Sequence, residues 1–239
     1  MRSRSDKHAW PGEDKRSPSK SLPNWALRAP LSTWMQAEGA RATGLRVLDV
    51  GCGEKPYLPF FDGVREYVGL DLAENPHADL HGVVERIPAE DASFDVVICL
   101  QVLEHVDDPA RAISELHRVM KPGGRLLLAT HGTAVYHGMR GAYPDYWRWT
   151  HTGLERVVTE NGAWSTVEVL PGAGTAACIG SLIATYLDLV FAKLRMRRAG
   201  GLAINLLNRT CAALDARSAN LREPVPGSLF LNFHVTATR

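Results

Sequence analysis

The sequence predicts an α/β fold, doubly wound around a mostly parallel sheet. Three observations carry that expectation. Short apolar runs at 45–50, 66–70 and 94–100 alternate with segments of helical character, and strands separated by helices build parallel sheets covered on both faces. The first run ends in Asp49-Val-Gly-Cys-Gly53, where Gly51 and Gly53 let the backbone turn tightly and approach a ligand. Asp71 closes the second run twenty positions after Gly51, about where α/β nucleotide sites place a carboxylate for ribose hydroxyls.

The elements follow in order. Residues 1–22 are rich in Ser, Lys, Arg and Pro and read as a disordered tail. Their charged start lacks the apolar stretch of a signal peptide. Residues 23–239 suit a single domain. Helical turns and a helix are expected over 24–43, with Ser32 as N-cap and Gly44 as stop. Strands are expected at 45–50 and 66–70, a short helix opening at Pro56 between them, and a weak third strand within 79–85. The run after Asp95 is unbroken, as a strand buried on both faces should be. Asp108-Pro109 caps the next helix, which Lys121-Pro-Gly-Gly stops. A fifth strand covers 125–130. Thr152-x-x-Glu155 reads as a capping box for a helix closing at Asn161-Gly162. Strands at 164–170 and 230–238 complete the set.

Composition excludes some functions. A formal charge of +1 over 239 residues gives no footprint for nucleic acid, and no Asn-Pro-Pro-Tyr-like motif for a flipped base is present. The four cysteines, at 52, 99, 178 and 211, make no Cys-x-x-Cys pair. No metal site is expected from them, and the thiols read as reduced, in a cytoplasmic protein.

Five blocks, in order, carry a family resemblance. They are Val47-Leu-Asp-Val-Gly-Cys-Gly53, Gly69-Leu-Asp-Leu72, Phe94-Asp-Val-Val97, Leu103-Glu-His-Val106 and Leu116-His-Arg-Val-Met-Lys-Pro-Gly-Gly124. Together they resemble S-adenosylmethionine-dependent methyltransferases of the Rossmann-like group, over roughly residues 45–170. The resemblance implies a seven-stranded sheet whose last strand runs antiparallel beside the sixth. Here a largely helical, apolar insertion at about 173–222 separates those two strands.

The resemblance also implies the cofactor, S-adenosyl-L-methionine, and its contacts. Asp49, Gly51, Cys52 and Gly53 would hold the amino-acid portion. Asp71, followed by Leu72, would hold the ribose. Leu100, Gln101, Leu103, Glu104 and His105 would lie near the methionine end, Glu104 and His105 also suiting a plain structural hydrogen bond or cap. The chain departs from the family pattern twice. Glu54-Lys55-Pro56 stands where a third glycine is common, and Val83 stands where an aspartate often meets the adenine, which passes that contact to backbone near Val84 and Glu85 or to the Glu85 side chain.

The acceptor is expected beyond the fifth strand. Segment 131–151 holds His131, Tyr136, His137, Arg140, Tyr143, Tyr146, Trp147, Arg148, Trp149 and His151. Loops at this end of a sheet build substrate sites, although the Trp and Tyr residues also suit simple packing against the sheet edge. A hydroxyl or ammonium acceptor needs a base, for which histidine suits neutral pH. His131 is the first candidate, then His137 and His105.

The apolar run 173–194, followed by Arg195, Arg197 and Arg198, leaves three readings open. These are helices packed on the domain as a lid or as the wall for a large or apolar acceptor, a homodimer contact or in-plane peripheral membrane contact, and a true span. The function expected is methyl transfer to a small-molecule acceptor, foremost at oxygen. Two alternatives stand beside it. One is a non-catalytic nucleoside-binding module. The other is a nicotinamide-dependent oxidoreductase, against which Pro56 counts because it occupies the third position of Gly-x-Gly-x-x-Gly.

Overall fold

The computed structural model describes residues 11–137 and 144–239. Arg140, Tyr143 and the first ten residues of the expected tail lie outside the described residues. Seven strands form one sheet: β1 (Arg46–Val50), β2 (Glu66–Asp71), β3 (Leu80–His81), β4 (Phe94–Leu100), β5 (Met120–His131), β6 (Thr166–Pro171) and β7 (Asn232–Thr238). Their order is β3-β2-β1-β4-β5-β7-β6. The first five pair in parallel. β7 enters between β5 and β6, antiparallel to both.

Alternation along the strands sends side chains to two helical layers. Val47, Val96, Ile98 and Leu127 pack with Leu31 and Met35 of α2 (Trp25–Arg41). Leu48, Val97 and Leu128 meet the opposite layer, with Ile113 and Leu116 of α3 (Pro109–Val119) and Leu154 and Val158 of α4 (His151–Glu160). The order of the sheet reverses between β1 and β4, and ligands of such sheets bind at the carboxyl ends of the strands there.

Several local expectations shift. Ser32 is not a cap. It lies inside α2 and donates to the Arg16 carbonyl, while Asn24 takes the N-cap position. Thr150, not Thr152, caps α4 by accepting from the Gly153 amide at 3.1 Å. The turn after Pro56 is a single 3-10 turn, Leu58–Phe60. β5 starts at Met120 because the backbone resumes pairing with Phe94 across an irregularity before Arg125. Asp108 caps α3 as expected, accepting from the Arg111 amide at 2.9 Å.

The tail expected to be disordered is ordered from Pro11 onward. A one-turn helix, α1 (Glu13–Arg16), packs on α2. Arg16 is buried and donates to the carbonyls of Pro11 and Pro56 at 2.7 and 2.6 Å. Composition alone missed this because one buried guanidinium replaces the apolar anchor that a sequence reading looks for.

The insertion is a helical hairpin, α5 (Thr175–Lys193) and α6 (Arg197–Arg217). Asp215 caps α5 by accepting from the Ala176 and Ala177 amides at 3.0 and 2.9 Å. Ser181 and Asn208 bind the hairpin to backbone carbonyls of Pro23, Lys20 and Leu22.

Candidate active site

A cavity of about 870 Å³ opens at the carboxyl ends of β1 and β4. One end is built from the first glycine turn. Gly51 has φ +69°, and a Cβ there would come within 2.3 Å of Val102. No other residue type fits this corner. The amides of Gly51 and Cys52 both donate to the Leu70 carbonyl. The turn is therefore stitched to β2 through its own N–H groups, and it offers the cavity its open backbone surface rather than free donors.

Asp71 completes that stitching. Its Oδ2 accepts from the Gly53 amide at 2.7 Å and from Asn75 Nδ2 at 2.8 Å. Its Oδ1 accepts from the Leu72 amide at 2.8 Å. A carboxylate oxygen accepts about two bonds, so Oδ1 keeps room for one ribose hydroxyl. Oδ2 of Asp71 is taken by the protein's own turn. Asn75 also donates to the Gly53 carbonyl at 2.8 Å, a brace that the sequence reading did not find.

The third glycine is replaced by a different device. Lys55 has φ +52° and reaches Asp79 Oδ2 at 2.5 Å, while Asp79 also accepts from the Gly69 amide at 2.7 Å. The lysine stem runs where a Cβ on Gly69 would sit, 2.4 Å from it.

Asp49 lies in the interior and lines the cavity. Tyr67 donates to its Oδ2 at 2.6 Å. Burial outweighs that bond and pushes the carboxyl up to about 7. Burial thus favours the neutral carboxyl, and a cation beside it would favour the charged form. Lys15, from the newly ordered α1, lines the same end and lies within electrostatic reach of Asp49.

One side chain lining the cavity is a candidate to meet a ligand. Gln101 has φ +59°, a strained conformation for this residue type, and both of its side-chain amide atoms are buried without a partner among the described residues. Leu100 lies beside it on the cavity wall. At Glu85 the expectation left two contacts open, through backbone or side chain. The residue borders the cavity, but its carboxylate accepts from the Asp107 amide at 3.0 Å, which leaves backbone from Val83 to Glu85 to face an adenine.

The far end gathers all three candidate histidines. The rings of His131 and His137 meet edge to face at 4.6 Å, and those of His137 and His105 at 4.9 Å. Behind them lies Glu104, fully buried, for which the resemblance implied only a place near the methionine end. Thr130 donates to its Oε2 at 2.8 Å. Its Oε1 is 3.2 Å from His131 Nε2 but not aligned as a hydrogen bond. Nδ1 of His131 is buried without a partner among the described residues. Burial pushes Glu104 up to about 7 and His131 down to about 3. Both shifts have the same cause and favour a neutral pair.

The loop that carries His137 is pinned by an ion pair. Arg148 holds Asp145 at 2.6 Å and keeps its carboxyl well below the usual range. Asp145 accepts from the His137 amide at 3.0 Å, and Arg148 donates to the Ala134 and Val135 carbonyls. Trp147 donates to the Val106 carbonyl at 2.8 Å and stacks on Trp149. These aromatics pack as the plainer reading of the segment expected. His105 is tied to the Pro144 carbonyl. Glu104, His131 and His137 present ligand atoms within 4.8 Å of one another, so side chains distant in sequence form a group able to hold a cation, which cysteine spacing could not reveal.

Residues 48–128 match a family described as a methyltransferase domain. A protein of Mycolicibacterium smegmatis named a probable S-adenosylmethionine-dependent methyltransferase is 40% identical over 101 residues, 38% of this chain and 39% of that protein. A ubiquinone biosynthesis O-methyltransferase of Hahella chejuensis is 40% identical over 109 residues, 39% of this chain and 46% of that protein. The chain thus spans less than half the length of these curated relatives. Among solved structures, the [4+2]-cyclase SpnF shares the fold with a TM-score of 0.54 at 20% identity, over 89% of this chain and 81% of that one.

Proposed function

We propose that this chain, which carries the methyltransferase domain of the Rossmann-like S-adenosylmethionine-dependent group, transfers a methyl group to an oxygen of a small-molecule acceptor. One observation supports this above all others. A single cavity joins the Asp49–Gly53–Asp71 turn to the His131–His137–His105 cluster, so a donor nucleoside and an acceptor can share it.

The residues fit the cofactor. Asp49 would receive its ammonium, Asp71 Oδ1 a ribose hydroxyl, and Lys15 its carboxylate. Gln101, whose amide lacks a partner among the described residues, would bond the amino-acid portion. When bound, the cofactor supplies an electrophilic methyl on a sulfonium. Methyl transfer is an in-line displacement, and most of its acceleration comes from holding the two partners in place.

The protein's remaining task is to accept a proton. His131 touches the cavity, and Glu104 does not. We assign His131 Nδ1 as the atom that takes the acceptor's hydroxyl proton. His131 Nε2 faces Glu104 Oε1, so a proton leaving Nε2 for the carboxylate keeps the imidazole neutral. Glu104, pushed to about 7, has the affinity for a proton that the buried imidazole lacks. His137 and His105 wall the acceptor side.

The test is single-turnover transfer from methyl-labelled S-adenosylmethionine to a panel of hydroxylated acceptors. His131→Ala should lower the rate by about 10²–10⁴-fold while cofactor affinity is kept. Cofactor binding with no labelled product from any acceptor would favour the non-catalytic reading.

A further inference from the structure

The α5–α6 hairpin is built against the usual rule for a surface helix. Its small residues face inward. Ala177, Cys178, Ser181 and Ala184 of α5 are buried, with Gly200, Asn208 and Cys211 of α6. A Cβ on Gly180 would lie 2.6 Å from Cys211 Sγ, and one on Gly200 would lie 2.7 Å from Phe191. Ile204 of α6 is buried with these small residues, while larger apolar residues of α5 face outward. Ile179, Ile183, Tyr186 and Val190 recur at intervals of four, three and four, and all are exposed, which places them in one stripe along α5. Leu202 and Leu206 on α6 are 75% and 68% exposed. Contiguous apolar surface of this kind marks an interaction site.

The hairpin's tip carries the complementary feature. Arg195, Arg197 and Arg198 surround a shallow second cavity where α5 meets α6. Among the described residues, no carboxylate pairs with any of the three. Asp188 is the only acid between Thr175 and Arg209. An apolar stripe ending in a cluster of unpaired guanidiniums is the pattern of an element lying in the headgroup plane of an anionic membrane.

We propose that this face of the hairpin docks on the surface of an anionic bilayer. α5 then has two roles. Its outer stripe lies in the lipid, while Ser181, Leu182 and Thr185 line the main cavity. The cavity is thereby placed beside the bilayer, which suits an acceptor whose polar head is methylated while its apolar part stays near the lipid. This consequence for the acceptor rests on the methyl-transfer reading, whereas the docking itself does not.

The experiment is co-sedimentation of the full chain with vesicles. One set holds phosphatidylglycerol in phosphatidylcholine, and a second holds phosphatidylcholine alone. The chain should bind the anionic set, in a salt-sensitive way, and far less of it should bind the neutral set. Arg195→Glu/Arg197→Glu/Arg198→Glu should lower the anionic partition by about tenfold or more. Ile183→Ser/Val190→Ser should lower it at any salt. Both variants alter exposed positions, and unchanged melting and unchanged S-adenosylhomocysteine binding would verify that they fold. Three results would overturn the proposal: equal partition to both vesicle types, binding that resists carbonate extraction as a span would, or a dimer in solution that Ile183→Ser/Val190→Ser dissociates. Loss of vesicle binding with cofactor binding intact would sink this inference alone and leave the proposed function standing.

Discussion

Glu104 Oε1 lies 3.2 Å from His131 Nε2, at the tip of β5 and wholly out of solvent on the carboxylate side. Neither group is comfortable charged there. The pair holds a site for one proton next to the cavity, which is what removal of a hydroxyl proton from an acceptor requires. The sign of its pH dependence follows. Glu104 must be ionised to take a proton, and burial has raised it to about 7. The rate at saturating cofactor should therefore rise with pH through about 7 and level off above it. Glu104→Gln should abolish that rise and lower kcat by about 10²-fold or more, with little change in cofactor KM. A pH–rate profile of the two proteins distinguishes this from a structural role, which would leave the shape of the profile unchanged.

Asp49 should couple cofactor affinity to pH. Its carboxyl is raised by burial to about 7, so it is protonated below that pH and cannot attract an ammonium. Affinity for S-adenosylhomocysteine should fall by up to about tenfold per pH unit below 7. Calorimetric titration at pH 5.5, 6.5 and 8 measures it.

The same residue should cost stability. A carboxyl whose folded value is raised favours the folded state when protonated, at low pH. That advantage is lost as pH rises from the unfolded value near 4 to about 7. Asp49→Asn should then melt above the parent at pH 8, by up to about 4 kcal/mol, and near the parent at pH 4. Thermal melts at the two pH values test the sign.

Lys15 should matter although it lies in a one-turn helix before the domain proper. Lys15→Ala should weaken S-adenosylhomocysteine binding by about tenfold, as loss of a charge-assisted bond would, and leave melting unchanged. Equal affinity would remove α1 from the site.

The His131–His137–Glu104 group is assigned here to proton handling. Methyl transfer should accordingly persist after dialysis against a strong chelator. Loss of activity restored by a divalent ion would reassign the group to metal binding.

The main strands and the glycine turn were legible in the sequence for a physical reason. Both depend on local patterns: apolar runs, two glycines that geometry demands, and an acid at a fixed spacing. Glu104 was legible only as a neighbour of His105, because its role arises from Thr130 and His131, which β5 delivers from 26 and 27 positions away. Lys15 was hidden because α1 is held by Arg16 and backbone carbonyls, a contact with no periodic signature. At Glu85 the sequence left backbone and side chain both open, because the partner that decides between them is distant. The amide of Asp107, across the sheet end, claims its carboxylate. Ser32 and Thr152 both had the residue type of a cap, and tertiary contacts at Arg16 and Thr150 decided otherwise.

The most direct measurement is isothermal titration of the purified chain with S-adenosylhomocysteine and, separately, with a nicotinamide dinucleotide. The account predicts saturable binding of one equivalent of the first and none of the second, with Asp71→Ala weakening the first by about 1.5–3 kcal/mol. Silence toward S-adenosylhomocysteine at millimolar concentration, or tighter binding of the dinucleotide, would contradict it.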